Sequence, residues 1–249
     1  MPSNIKKKLS SFGKKTARDV AGSSWVFQKL RAVREEMAED IRVIKERDPA
    51  AKSDIEVLLL YSGLHAVWAH RISHKLYEKE LFVPARMVSQ AAKFFTGIEI
   101  HPGAKLGKGL FIDHGTAVVI GETAEIGENC TLYQGVTLGG TGKDTGKRHP
   151  TLGDNVMVGA GAKVLGPFKV GSNSKIAANA VVLAEVPENT TAVGIPARVV
   201  RVGGKRISKD DMDQIHISDP VSQELCKLQI KIEQLEARIA EMEKQENKD

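Results

Sequence analysis

From Ile100 to Val182 an aliphatic residue returns at every sixth position, a period that neither an α-helix nor an ordinary strand can use. The series runs Ile100, Leu106, Ile112, then after a slip of two Ile120, Ile126, Leu132 and Leu138. After a longer interruption it resumes at Leu152, Val158, Val164, Val170, Ile176 and Val182. Four places after many of these stands a small or modest side chain: Ala104, Thr116, Ala124, Cys130, Ala162, Ser174 and Ala180. Such a beat predicts a parallel β-helix, in which each hexapeptide is one short strand and a corner and successive coils stack about 4.8 Å apart through backbone hydrogen bonds. Three hexapeptides close a triangular coil, so the aliphatic side chain points inward onto residue i+18, and the small residue lets the chain turn. The run yields about four coils, whose open ends need caps. The period does not fix the hand of the coil, and the general rule for parallel crossovers favours a right-handed one.

The beat breaks twice, and each break carries histidine. The hexad that opens at Ile112 extends to Val119 and contains Asp113 and His114; the stretch 139–151, GGTGKDTGKRHPT, holds Arg148 and His149. Departures from a repeat are where function is grafted onto it.

Composition removes several classes of protein. With 41% hydrophobic and 27% charged residues the chain reads as globular, of one or two domains, and no apolar run approaches the ~20 residues that span a bilayer. Only Cys130 and Cys226 are present, so no disulfide framework is expected and a reducing, cytoplasmic setting fits. The net charge of +5 is modest, and nucleic-acid binding finds neither a motif nor an aromatic-interleaved basic patch.

Around the repeat the expected order is a basic arm over 1–24, a helical domain over 25–97, the β-helix over 98–202, a polar linker over 203–220 and a helix over 221–249. The helical domain rests on apolar spacing at Val26, Leu30, Val33, Met37, Ile41 and Ile44, which ends at Asp48-Pro49. A capping box, Ser53 to Glu56, opens a second helix running to about Glu80, and a third runs from Pro84 to Phe95 with a stop at Gly97. His70 and His74 sit at metal-binding spacing, but no acid lies between them, so packing or a helix–helix hydrogen bond is the expected role. Leu225, Leu228, Ile232, Leu235, Ile239 and Met242 alternate by threes and fours, a heptad seam that predicts a coiled coil, against which a solvated single helix stays open. The fold class is thus α+β: a helical domain, a parallel β-helix and a coiled-coil helix.

The strings GIEIHPGAKLGKGLFIDHGTAVVIGETAEIG, TLYQGVTLGGTGKDTGKRHPTLGDNVMVGAGAKVLG and AVGIPARVV closely resemble serine O-acetyltransferase, of the left-handed β-helix acyltransferase group, over about 25–202. The resemblance implies a left-handed coil and transfer of acetyl from acetyl-CoA to the hydroxyl of L-serine, giving O-acetyl-L-serine for cysteine synthesis. It implies acetyl-CoA as co-substrate, no permanently bound cofactor or metal, cysteine as feedback inhibitor, and a homotrimer, or a hexamer of two trimers. His114 corresponds to the general base, and Glu99 to the acid that orients it, where aspartate is common in the family; the two are 15 apart, close to one coil. Asp48 and Asp113 match ammonium ligands, Arg148 suits the carboxylate, and His149 matches a second active-site histidine. CoA is expected along the coils near Gly140, Ala160 and Ala178. Lys163, Lys169 and Lys175 resemble a phosphate row, yet at six-residue spacing they belong to three different faces. Family members that dock on cysteine synthase do so through a terminal isoleucine; this chain ends in Asp249, so docking by that route is not expected.

Plainer readings stand beside these. Asp48 can simply open the turn before Pro49, and Arg148 and His149 can be solvated loop residues. Another O- or N-acetyltransferase is the nearest rival within the fold. A zinc β-helix enzyme would want closely spaced histidines, whereas His101, His114 and His149 are 13 and 35 apart. A non-enzymatic scaffold would bind no acetyl-CoA.

Overall fold

The computed structural model describes residues 27–142 and 145–200, together with seven positions between 228 and 238. The basic arm, the linker and most of the heptad seam lie outside the described residues. Of the seam, Leu228, Ile232 and Leu235 are helical and more than half exposed in the single chain.

Among the described residues four helices precede the coils: α1 (27–47), α2 (Asp54–Leu60), α3 (Ser62–Tyr77) and α4 (Phe82–Thr96). Ser53 caps α2 by accepting the Glu56 N–H at 3.1 Å, and Gly97, left-handed at φ 72, ends α4. The apolar spacing suggests one helix from Ser53 to Glu80, but the chain leaves helical geometry at Tyr61 (φ −86, ψ 102) and resumes at Ser62. The break re-aims α3, whose first turn lies flat on the coils: a Cβ at Gly63 would come within 2.2 Å of the Ile112 carbonyl oxygen. Only glycine lets the two backbones approach so closely.

The repeat forms three parallel sheets, the faces of a prism. The first face holds β1 (Glu99–Ile100), β4 (Val119–Ile120), β7 (Thr137–Gly139), β10 (Lys163–Leu165) and β13 (Val181–Val182). The second holds β2 (Lys105–Leu106), β5 (Glu125–Ile126), β8 (Thr151–Leu152) and β11 (Lys169–Val170). The third holds β3 (Phe111–Ile112), β6 (Thr131–Leu132), β9 (Met157–Val158), β12 (Lys175–Ile176) and β14 (Thr191–Val193), with β15 (Arg198–Val200) antiparallel against β14. The inward aliphatic residues pair as the period demands: Ile120 on Leu138, Leu152 on Val170, Val158 on Ile176 and Val164 on Val182, each 18 apart. Across the irregular hexad the step is 20, as from Ile100 to Ile120, and across the 139–151 stretch it is 26, as from Leu138 to Val164. The extra residues are therefore extruded at corners and the core ladder never loses register. Lys163, Lys169 and Lys175 lie on the first, second and third faces respectively, so they form no row.

Arg47, at the end of α1, ties the helices to the coils. Its guanidinium donates to the carbonyls of Gly109 and Asn129 at 3.2 Å and to Asn129 Oδ1 at 3.1 Å. A second anchor joins Asp40 on α1 to α3: the nearly buried carboxylate accepts from Trp68 Nε1 at 2.8 Å and from both terminal nitrogens of Arg71 at 2.5 and 2.9 Å. Among the described residues no helix is long and apolar enough to cross a membrane.

His70 and His74 stack at 5.4 Å between ring centroids, and no metal group of three His, Cys, Asp or Glu side chains forms among the described residues. His70 is buried, and neither ring nitrogen has a hydrogen-bond partner. Burial, reinforced by His74, lowers its pKa to about 4. An imidazole that stays neutral in the folded chain but protonates near pH 6.5 when unfolded favours the unfolded state in acid. Its contribution is present above about pH 6.5 and is lost as the pH falls towards 4, on the order of 3 kcal/mol in all. Melting temperature measured between pH 7 and 5 should fall less steeply for His70→Gln than for the unsubstituted chain; parallel curves would contradict this account.

Candidate active site

The corner that joins β3 to β4 is the irregular hexad. It turns with His114 at φ 56, Gly115 at φ 75 and Ala117 at φ 61, all in the left-handed region. His114 presents its side chain outward, 73% exposed, with Nε2 4.0 Å from Asp113 Oδ1. Its carbonyl accepts from Ser62 Oγ at 3.3 Å, so the first turn of α3 holds the histidine's backbone. Asp113 is largely buried, and its pKa is raised, first by desolvation and then by the like charge of Asp48, while His114 pulls the other way. Asp48 itself is fixed at both oxygens: Oδ1 accepts the Ala50 N–H at 2.8 Å and Oδ2 accepts the Tyr61 hydroxyl at 2.6 Å. Three residues singled out in the sequence, Asp48, Asp113 and His114, thus gather at one corner.

Glu99 does not join them through a direct contact. No hydrogen bond or ion pair links it to His114; its carboxylate meets Lys93 Nζ at 2.6 Å and Arg86 Nη2 at 4.0 Å, both cations of α4. The 15-residue spacing does bring Glu99 and His114 to adjacent layers of the first face and the corner that leads into it. The side chain is drawn the other way by two positive charges that spacing alone does not reveal.

Arg148 and His149 occupy a different corner, the one that leads from β7 to β8. Thr123 is its hub. Its Oγ1 accepts the backbone N–H groups of Arg148 and His149, each at 3.0 Å, and lies 2.9 Å from His149 Nδ1. The Thr123 N–H also points at Nδ1, at 3.2 Å. With Nδ1 accepting, the neutral ring carries its proton on Nε2. The pKa of His149 is lowered, by burial first and by Arg148 second, which favours that neutral form. The ring lies against Gly121, where a Cβ would meet His149 Cδ2 at 1.9 Å, so any larger residue there would displace it. The Arg148 guanidinium is paired with Glu122, whose other oxygen accepts the Tyr77 hydroxyl at 3.1 Å. Gly140 adjoins this corner, 3.2 Å from His149 Nε2 to a Cβ built on it. Ala160 and Ala178 are stacked on the His114 corner instead: Thr116 accepts from Gly135, Gln134 from Gly161 and Ala160 from Asn179, each at 2.8 Å.

Helix α3 spans the two corners, with Ser62 at one end against His114 and Tyr77 at the other against Glu122. Fifteen residues of helix rise about 22 Å, and among the described residues no hydrogen bond or ion pair joins Asp48, Asp113 or His114 to Arg148 or His149, so within one chain the two corners stand apart. Sequence reading missed Tyr61, Ser62, Thr123, Glu122 and Tyr77. The first two sit in what the periodicity takes for uninterrupted helix, and the others carry no spacing signal of their own.

Comparison with known proteins identifies the family. A family profile described as "Serine acetyltransferase, N-terminal" matches residues 6–69, and one described as "Bacterial transferase hexapeptide (six repeats)" matches 149–184. A serine acetyltransferase of Staphylococcus aureus is 57% identical over 197 residues, which is 79% of this chain and 92% of that protein. Among solved structures, the serine complex of the Neisseria gonorrhoeae serine acetyltransferase superposes with a TM-score of 0.65 at 44% identity, covering 68% of this chain and 69% of that one. A serine acetyltransferase in complex with cysteine gives 0.72 at 41% identity, over 77% and 74%. Identity of this order, sustained over nearly the whole length of a relative, means that the chain belongs to the serine acetyltransferase family.

Proposed function

We propose that this chain transfers the acetyl group of acetyl-CoA to the hydroxyl of L-serine, releasing O-acetyl-L-serine and CoA. The observation that carries the reading is the corner where two carboxylates, Asp48 and Asp113, sit beside an exposed histidine. A carboxylate whose pKa is raised first by burial and further by a like charge gains from a cation placed between the two acids, and the serine ammonium is such a cation. His114 then stands as general base for the neighbouring hydroxyl. The imidazole takes the hydroxyl proton as the serine oxygen attacks the thioester carbonyl. When the tetrahedral intermediate collapses the C–S bond breaks, and the imidazolium returns the proton to the CoA sulfur. Arg148 receives the serine carboxylate, for which its planar fork is suited. His149 offers an Nε2–H to the same substrate or to the oxyanion. CoA runs along the coils past Gly140, Ala160 and Ala178. Cysteine, bound by a relative, matches serine in its ammonium and carboxylate and so fits the same anchors as an inhibitor.

The ends of α3 that meet the two corners are about 22 Å apart, so a site that uses both corners is completed by a second copy: the His114 corner of one meets the Arg148 corner of its neighbour. A left-handed coil assembled as a homotrimer satisfies this at three equivalent boundaries.

His114→Ala should lower turnover by about two to four orders of magnitude while acetyl-CoA still binds, and near-normal turnover in the folded variant would remove His114 as base. Because Glu99 is engaged by Lys93, Glu99→Gln should lower kcat no more than Lys93→Ala does. A much larger loss on Glu99→Gln would return to Glu99 the orienting role suggested by sequence. Co-refolding His114→Ala chains with His149→Ala chains should restore activity at mixed boundaries; mixtures as inactive as their parents would show that each site is built from one chain.

A further inference from the structure

The helix break at Tyr61 stands where the sequence has no proline and the apolar spacing continues unbroken. Each of the three residues that follow from the break touches the His114 half-site. Tyr61 donates its hydroxyl to Asp48 Oδ2 at 2.6 Å, Ser62 donates to the His114 carbonyl at 3.3 Å, and Gly63 lets α3 close on Ile112. Asp48 follows directly on Arg47, whose guanidinium is fixed to the coil backbone, so the main chain at Asp48 cannot drift. What remains to be fixed is the carboxylate. Near Asp113 it faces a like charge, and a free side chain would turn towards solvent. The Tyr61 hydroxyl opposes that rotation while using only one lone pair of Oδ2. The Ala50 N–H uses one on Oδ1, and each oxygen keeps acceptor capacity for another donor.

We propose that Tyr61 is a positioning residue that presents Asp48 to the amino group of the amino-acid substrate, and so sets affinity for that substrate rather than the rate of acetyl transfer. The proposal rests on the reading of Asp48 as an ammonium ligand. A carboxylate held in place before binding loses less freedom when the ammonium arrives, and the gain is the same in the ground state and the transition state. Such uniform binding appears in KM and leaves kcat alone. A tyrosine that only stapled the junction between α2 and α3 would instead lower the melting temperature and disturb every kinetic parameter together.

Steady-state kinetics of the full chain with serine and acetyl-CoA test this on Tyr61→Phe, Asp48→Asn and the double variant, with melting temperatures as the check on folding. Tyr61→Phe should raise the serine KM about tenfold, the weight of one hydrogen bond to a charged group, with kcat changed by less than about twofold and the acetyl-CoA KM unmoved. Added to Asp48→Asn, it should have little further effect, because the hydroxyl acts through the carboxylate. Two results overturn the proposal and leave the Asp48 reading standing: Tyr61→Phe leaves the serine KM unchanged while Asp48→Asn raises it, or the two substitutions multiply independently. If Asp48→Asn leaves the serine KM unchanged, the ammonium reading of Asp48 fails, and the role of Tyr61 fails with it.

Discussion

Everything in this molecule depends on keeping one aliphatic side chain above another from coil to coil. The backbone hydrogen bonds between coils are satisfied only in register, and so are the contacts of a core in which Ile120, Leu138, Val164 and Val182 are all essentially inaccessible. Each such side chain contributes about 1.5–3 kcal/mol through burial, and a slip by one residue would turn a whole strand's core residue outward. Strands two or three residues long leave no room to absorb an insertion. Any extra sequence has to leave at a corner and return in phase, as the steps of 20 and 26 residues do. The scaffold therefore dictates that chemistry sits on edges of the prism, not on its faces.

Corners also carry the conformational strain of the fold. Ordinary ones place asparagine in the left-handed region, at Asn129, Asn155, Asn173 and Asn189, and asparagine tolerates it well. Asn155, Asn173 and Asn189 further bond to one another through their side-chain amides at 3.1 and 3.2 Å, and Arg47 caps Asn129. The irregular corner uses His114 and Ala117 instead, at a cost of about 1–2 kcal/mol each relative to a relaxed residue. Glycine at 115 lowers the strain between them and avoids Ile98, whose Cδ1 a Cβ would approach to 2.4 Å. Strain held where a side chain is projected outward is consistent with a constraint imposed by function rather than by folding.

How much of this could be read from the sequence follows from what a pattern can encode. The coils were legible because their determinant is periodic: a buried aliphatic side chain every six residues has no other explanation. Asp113 and His114 stand out in the sequence because they interrupt that period, and the structure places them at one corner. Glu99 marks the limit of the same logic, since a spacing of 15 speaks to layers and cannot reveal the contact with Lys93 on a helix placed against the sheet. The break at Tyr61 was illegible for a related reason. Its cause is tertiary, the approach of α3 to Ile112 and the bond to Asp48, and the local sequence still favours helix. Residues that hold other residues, such as Thr123 beneath His149, leave no pattern at all, because one side-chain oxygen shared by three nitrogens can be supplied from any register that geometry allows.

The charges of the two half-sites complete the functional argument. The His114 corner offers carboxylates, Asp48 and Asp113, and the Arg148 corner offers Lys147, Arg148 and a neutral His149. In the site proposed above, built from two copies, they would make one side acidic and the other basic, matching the ammonium and carboxylate of a zwitterionic amino acid. In the free chain the fork of Arg148 is already engaged by Glu122, and Glu122 is steadied by Tyr77. A substrate carboxylate arriving there exchanges one ion pair for another instead of adding a new one. The net gain on that side is small, because a charge already paired gives up about as much as it receives. In the proposed site, selectivity for the amino acid would then fall mostly on the acidic corner, where burial, with a smaller push from Asp48, raises the Asp113 pKa although His114 opposes it. Two separate devices, the Ser62 contact and the Tyr61 hydroxyl, serve that corner, while the Arg47 anchor holds the neighbouring one at Gly109 and Asn129 and so fixes the chain that leads into Asp48.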